Sequence, residues 1–242
     1  MKKLKFCLKL LFLAVCFLLL VSCRKELHTD TQHSENDVVR GIDVSSYQED
    51  VDWEIISQND ISFAFIKATE GSSYVDRRFD ENIAAAGKTD LAVGAYHFMS
   101  FDSDGKSQAK NFISKVKPDM IDLPPVIDLE AYGKYVDALP EFSEVEKILG
   151  DLISELTEAY GKTPIIYTNL RMYYLYVLGA FDECDIWMCD LNGEPMLLGG
   201  KDWTFWQYSH TEKISGYSGG EKHIDMNIFN GSEKEFYEYL KK

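Results

Sequence analysis

Positive charge is the scarcest property of this 242-residue chain: 25 Lys and Arg stand against 40 Asp and Glu, a formal charge of −15. No basic stripe or Arg-rich face interrupts the acidity. That excludes nucleic acid as a partner and electrostatic steering onto an anionic surface. Cysteine is too thinly spread for a disulfide framework. Of five, Cys7, Cys16 and Cys23 lie in the first 23 residues, leaving Cys184 and Cys189. These two flank Asp-Ile-Trp-Met, which reads as a strand; five extended steps set them roughly 16 Å apart, beyond the ~7 Å that a disulfide spans. Two buried thiols are expected. Neither has a His or Cys partner at ligand spacing, so no metal site is expected. Internal repeats, low-complexity blocks and signs of a second domain are also missing. With 45% hydrophobic residues, the chain suits one large domain of the size common for α/β barrels.

Residues 1–22 read as a signal peptide. Lys2, Lys3, Lys5 and Lys9 precede and enter the apolar run from Leu10 to Val21, giving a charged start, an apolar middle and a small residue near the cut. The run is short for a stable membrane span. It ends Leu20-Val21-Ser22-Cys23, which resembles the lipobox of bacterial lipoproteins and implies lipidation of Cys23. Simple cleavage nearby, with Cys23 incidental, is the alternative. Residues 23–39 are then a lipidated N-terminus and a polar, flexible tether, and 40–242 the folded domain.

Within that domain, short β-rich runs alternate with helical patterns. Strands are expected at 40–44, 63–69, 92–98, 126–130, 164–168, 185–189, 204–208 and 224–229. Helices are expected near 53–58, 77–86, 105–116, 143–160, 170–177 and 232–240. The helix at 143–160 carries the strongest signals. Ser143 and Glu146 form a capping box, Val145, Ile148, Leu149, Leu152, Ile153 and Leu156 make an apolar stripe, and Gly161 closes it. Alternating strands and helices imply parallel βαβ units. Past Phe181 the connections shorten and no long helix follows until the C-terminus. The expected fold class is therefore α/β, a distorted (β/α)8 TIM-like barrel whose last strands are irregular or antiparallel.

In such a barrel, active residues sit at the C-terminal ends of strands. The run Pro124-Pro125-Val126-Ile127-Asp128-Leu129-Glu130 ends a buried strand in two carboxylates. Residues two apart share a face, with Cα atoms roughly 6.5–7 Å apart. Carboxylates that close shift each other's pKa, so one stays protonated while the other ionises. This is the equipment for breaking a glycosidic bond. Asp43 ends the first strand and Asp225 lies on the last, and these strands are neighbours in a closed barrel. Each acid taken singly reads as readily as a cap, a turn residue or a solvated strand end. Their convergence at one rim is the informative outcome.

Eight stretches in order resemble the family 25 glycoside hydrolases, bacterial and phage lysozymes that cut peptidoglycan as N-acetylmuramidases. They are Gly41-Ile42-Asp43-Val44-Ser45-Ser46-Tyr47-Gln48, Val51-Asp52-Trp53, Phe65-Ile66-Lys67-Ala68-Thr69-Glu70-Gly71 and Gly94-Ala95-Tyr96-His97-Phe98. Pro125-Val126-Ile127-Asp128-Leu129-Glu130, Ile166-Tyr167-Thr168-Asn169, Trp206-Gln207-Tyr208-Ser209 and Ile224-Asp225-Met226-Asn227 complete the set.

The resemblance implies a distorted β/α barrel acting on peptidoglycan glycan strands without metal or organic cofactor. Glu130 matches the general acid and Asp128 its companion; Asp43 and Asp225 match the other two acids of the cleft. Lys67, Tyr96, Tyr167, Trp206 and Tyr208 are the expected sugar contacts, although each aromatic reads equally as barrel core. His97 is expected to be a satisfied core histidine. No wall-binding repeats are expected after Lys242, so attachment through Cys23 would place an exported, monomeric lipoprotein on a membrane, facing the periplasm or the cell surface. Two other readings stay open: a non-catalytic glycan-binding lipoprotein and a glycosidase acting on another N-acetylated polysaccharide. A metal-dependent deacetylase is disfavoured because the strand-end acids lack companion histidines.

Overall fold

The computed structural model describes residues 38–217 and 223–241. The expected signal peptide, Cys23 and the tether up to residue 37 lie outside the described residues. Val39 is already buried and its carbonyl accepts from Phe229 N at 3.0 Å. The fold therefore reaches at least one residue into the stretch expected to be tether.

Nine strands form one sheet: β1 (Arg40–Val44), β2 (Phe63–Glu70), β3 (Tyr74–Val75), β4 (Ala92–Phe98), β5 (Val126–Leu129), β6 (Ile165–Asn169), β7 (Ile186–Cys189), β8 (Phe205–Glu212) and β9 (Ile224–Phe229). Six parallel pairings run from β1 through β2, β4, β5, β6 and β7 to β8. Antiparallel β9 then joins β8 back to β1 and closes the barrel. Within the closed ring of described strands the reversal falls on β9, and β8 is irregular, with register shifts after Gln207 and after Ser209, as expected of the last strands. β3 is a short addition paired to the end of β2 that the residue pattern did not announce.

Alternation along each strand separates two apolar layers. Phe63, Phe65, Val126, Ile165, Phe205 and Phe229 point inward and fill the lower barrel. Phe63 and Phe205 lie 5.2 Å apart in an edge-to-face pair, the arrangement aromatic quadrupoles favour. Such rings leave no room for a neighbouring side chain. A Cβ at Gly41 would sit 2.3 Å from the Phe63 ring, and one at Gly94 would sit 2.5 Å from Phe65. Outward residues such as Ile42, Val44, Ala64 and Ile66 pack instead under the helices.

The helices are α1 (Trp53–Ile56), α2 (Phe79–Ala86), α3 (Gly105–Lys115), α4 (Phe142–Tyr160), α5 (Leu170–Met172, continued by a π-turn over Tyr173–Val177) and α6 (Glu233–Tyr239). In α4, Val145, Leu149, Leu152, Ile153 and Leu156 are buried, and Gly161 ends the helix in the left-handed region at φ 68°, as a C-terminal glycine should. The expected Ser143 capping box does not form. The Glu141 carbonyl already accepts from Glu144 and Val145 N, so Ser143 lies inside the first turn, where its side chain has no cap to make. α6 closes the lower mouth through Phe236, whose ring lies 5.2 Å from Phe229.

Candidate active site

Above the aromatic floor the inward-facing residues change from apolar to acidic. Strand register carries the change around the barrel. Asp43 on β1 lies directly opposite Asp225 on β9, which sets their Cα atoms about 4.5–5.5 Å apart. Asp128 on β5 is level with Phe98 on β4 and Tyr167 on β6. Leu129 is buried on the outer side, so Asp128 and Glu130 share the inner face, with Glu130 one residue beyond the strand.

Two adjoining cavities occupy this mouth. Both are lined by Asp43, Tyr96, Asp128, Glu130 and Asp225. The inner one, about 120 Å³, adds Tyr167, Trp187 and Gln207. The outer one, about 270 Å³, adds Tyr47, Lys67 and Phe98. A larger hollow at the opposite end of the barrel, lined in part by Ile61, Asp90, Asp122 and Glu233, lacks converging buried acids. The four sequence-predicted acids therefore meet in one cleft.

Burial governs their protonation. Asp43 is pushed up to about 6 by loss of solvation, against the opposing effect of hydrogen bonds from Asn227, Gln207 and Asp225. Its Oδ2 accepts from Asn227 Nδ2 at 2.8 Å and from Gln207 Nε2 at 2.9 Å. Asp128 is raised well above the usual carboxylate value by burial and then by the Glu130 charge. Its Oδ1 is buried with no hydrogen-bond partner, a costly state for a polar atom unless a ligand completes it. Glu130 is raised as well, first by burial and then by Asp43, with Lys67 opposing. Acids this close release protons as a set, and burial moves that release to higher pH.

The predicted sugar contacts divide. Lys67 lines the outer cavity, bonds Glu70 at 2.9 Å and sits 4.8 Å over the Phe98 ring. Its charge draws both Asp128 and Glu130 down. Tyr96 lines both cavities. Tyr167 lines the inner one, but its hydroxyl donates to Gln207 Oε1 at 2.8 Å. Trp206 and Tyr208 do not reach the cleft. Gln207 between them points inward, so alternation turns both rings out. They pack against the helix-side core, and Trp206 Nε1 donates to the Asp190 carbonyl at 2.8 Å.

His97 faces outward, buried between Thr69 Oγ1 at 2.7 Å and Gln108 Oε1 at 3.0 Å. Burial pushes it down to about 4, so it is a neutral structural side chain, as expected. Cys184 and Cys189 are both free, but Cys189 is only half-buried, because β7 turns it toward the mouth beside Tyr167. Desolvation pushes its thiol up to about 12.

Four further residues belong to the site. Trp187, Gln207 and Asn227 support Asp43, and Tyr47 is 69% exposed at the rim. A tight turn presents Tyr47: Ser45 N donates to Gln48 Oε1, Ser46 N donates to Asp76, and Arg77 donates to the Ser46 carbonyl. Asn227 was legible, since it lies two residues after Asp225 and must share its face. Gln207 lies between Trp206 and Tyr208, and strand alternation places it, not the two aromatics, on the inner face.

A profile of the Glycosyl hydrolases family 25 matches residues 42–217. The chain is 33% identical over 207 residues to "Uncharacterized protein YegX" of Escherichia coli O157:H7, covering 84% of this chain and 73% of that one. It is 32% identical over 205 residues to "Lysozyme M1" of Streptomyces globisporus, covering 80% and 68%. The solved family 25 glycosyl hydrolase of Bacillus anthracis superposes with a TM-score of 0.80 at 46% identity, over 88% of this chain and 98% of that one. The profile match spans the strands of Asp43, Asp128 and Glu130 and ends before Asp225, and the chain belongs to the family 25 glycosyl hydrolases, which makes it a glycoside hydrolase.

Proposed function

We propose that this chain is a muramidase that hydrolyses the β-1,4 bond between N-acetylmuramic acid and N-acetylglucosamine in peptidoglycan. One observation carries the reading: Asp43, Asp128, Glu130 and Asp225 line a single cleft at the upper mouth of the barrel. Glu130, held protonated by burial, donates its proton to the departing glycosidic oxygen. Asp128 accepts from the acetamido N–H of the bound sugar, which completes its otherwise unpartnered Oδ1. That hydrogen bond steadies the acetamido group in substrate-assisted attack, with no covalent enzyme ester. Asp43, which accepts hydrogen bonds from Asn227, Gln207 and Asp225, holds negative charge on the opposite wall, where positive charge develops on the sugar ring. Lys67 and Tyr96 contact the sugars, and the exposed Tyr47 ring extends the cleft.

The test is digestion of purified sacculi, followed by borohydride reduction and mass spectrometry of the soluble fragments. Reduced muramic acid ends are expected. Reduced glucosamine ends would move the cut to the other bond, and release from chitin alone would move the substrate to another N-acetylated polymer. Binding without any product would leave a glycan-binding protein.

We further propose that the protein is exported as a monomer and anchored through lipidated Cys23, placing the enzyme on a membrane beside its polymer. Support comes from the Leu20-Val21-Ser22-Cys23 stretch behind a charged and apolar leader. In detergent phase separation the full chain should enter the detergent phase and Cys23→Ala the aqueous phase. Equal partitioning would remove the anchor.

A further inference from the structure

Asp43 is held by two primary amides, and an amide can offer a neighbour either its NH₂ or its carbonyl. The choice is made one bond further out. Asn227 Oδ1 accepts from Trp187 Nε1 at 2.8 Å, and an indole N–H can only donate. With its carbonyl claimed, Asn227 must turn Nδ2 toward Asp43, where it donates at 2.8 Å. Gln207 is under looser direction. Its Oε1 accepts from the Tyr167 hydroxyl at 2.8 Å, but a phenol can also accept, so this amide can invert together with the tyrosine. All four supporting side chains are buried. A wrong orientation would strand a donor or acceptor at a cost of about 1–3 kcal/mol.

We propose that Trp187 is a positioning residue for the hydrolysis: acting through Asn227, its indole N–H holds Asp43 as a hydrogen-bond acceptor within a cluster of acids. The proposal rests on the reading of that cluster as the reacting centre. The groups facing Asp43 show why a lock matters. Asp225 on β9 hydrogen-bonds to it, and the charge of Asp43 acts on Asp128 and Glu130 at the end of β5. Lys67 on β2 is the cation lining the same cavity. Tyr96 on β4, Tyr167 on β6 and Cys189 on β7 face Asp43 as neutral groups, each raised in part by its charge. A protonated Asp43 would need a carbonyl in front of its O–H. Gln207 can supply one by inverting and the Asp225 carboxyl can supply another, but Asn227 cannot while Trp187 stands behind it. The indole therefore biases which acid of the set carries the proton.

Trp187→Phe isolates the N–H, because the aromatic ring still stacks on Phe65, whose centroid lies 4.4 Å away. The experiment is a ¹³C carboxyl NMR titration of Asp43 in the free protein, assigned by loss of its signal in Asp43→Asn. It is run beside the pH profile of kcat/KM. In Trp187→Phe the Asp43 midpoint should rise from about 6 by about one pH unit, as expected when a hydrogen bond favouring the charged form is lost. The acid limb of the profile should move with it. In an Asn227→Leu background the indole change should add nothing, since its route to Asp43 is gone. Coincident titrations of Trp187→Phe and the parent protein would overturn the proposal, as would a shift that persists undiminished without Asn227. Should Trp187→Phe fail to fold, Asn227→Leu alone must raise the midpoint, and an unmoved midpoint there is equally fatal. The titration needs no turnover, so inactivity on peptidoglycan would defeat the proposed function while leaving the indole lock to stand or fall separately.

Discussion

Glu130→Gln is expected to lower hydrolysis of peptidoglycan by about 10²–10⁴-fold, the usual contribution of a positioned general acid. That loss corresponds to about 3–5 kcal/mol of barrier. Gln has the size of Glu and keeps its hydrogen-bonding shape, but it has no proton to give. Glu130 is partly exposed at the cleft and closes no structural hydrogen bond on which the barrel rests, so the melting temperature should stay near that of the parent protein. A substrate whose leaving group departs without protonation, such as an aryl glycoside with a strongly acidic phenol, should recover most of the lost rate. Protonation also sets the pH dependence. Glu130 is raised by burial and by Asp43, so activity should persist toward neutrality and fall once the pH exceeds that raised value. Reducing-end release from sacculi, measured across pH for both proteins, checks the rate loss and the pH dependence; melting curves and aryl-glycoside turnover check the other two. Undiminished turnover by Glu130→Gln would remove this residue from the acid role.

Asp128→Asn is expected to change activity and stability in opposite directions. Turnover should fall by about 10²-fold or more, since Asn cannot ionise to the charged acceptor that the acetamido N–H recruits once substrate is bound. Stability at neutral pH should rise. Asp128 is buried, with one oxygen unpartnered, and its raised value means that the fold resists its ionisation. The sign follows from linkage. Below the unfolded value of 3.8 the carboxyl is protonated in both states, and the substitution should change nothing. As pH climbs from 3.8 to the raised folded value, the unfolded chain carries a charge that the native state opposes, so native stability is lost across that interval. The Asn variant escapes that loss. The melting temperature of the variant should therefore exceed that of the parent at pH 7, where each 1 kcal/mol is worth about 2–4 °C for a domain of this size. His97 acts in the other direction. Its folded value is depressed to about 4 from 6.5, so its contribution is complete above 6.5 and lost as the pH falls toward 4. Comparing variant and parent at each pH cancels the histidine. Paired melting curves from pH 3.5 to 8 therefore check the prediction, and a variant-minus-parent difference no larger at pH 7 than at pH 3.5 would contradict it.

The strands were legible because barrel strands are short apolar runs between turns, and all eight fall within a few residues of their expected places. The acid cleft was legible for a related reason. Period-two alternation places Asp128 and Glu130 on one face, and barrel closure makes the strands of Asp43 and Asp225 neighbours. Errors arose where identity was read ahead of direction. In Trp206-Gln207-Tyr208 the aromatics looked like sugar platforms, but a strand shows only alternate residues to the lumen, and here it shows the amide. The capping box at Ser143 and Glu146 failed because a helix begins where a carbonyl first closes a turn, and Glu141 does so two residues earlier.

Local pattern therefore determined the strand and helix order and the apolar faces, and together with the family resemblance it singled out the four acids. Such properties depend on neighbours a few residues apart, which any window of sequence contains. Tertiary structure decided the rest: the reversal of β9 that brings Asp43 opposite Asp225, the glycines that admit Phe63 and Phe65, and the Trp187–Asn227–Asp43 chain. Each depends on residues from strands tens to nearly two hundred positions apart meeting at hydrogen-bond or van der Waals distance. Those distances are set by barrel closure and register, which no local stretch encodes.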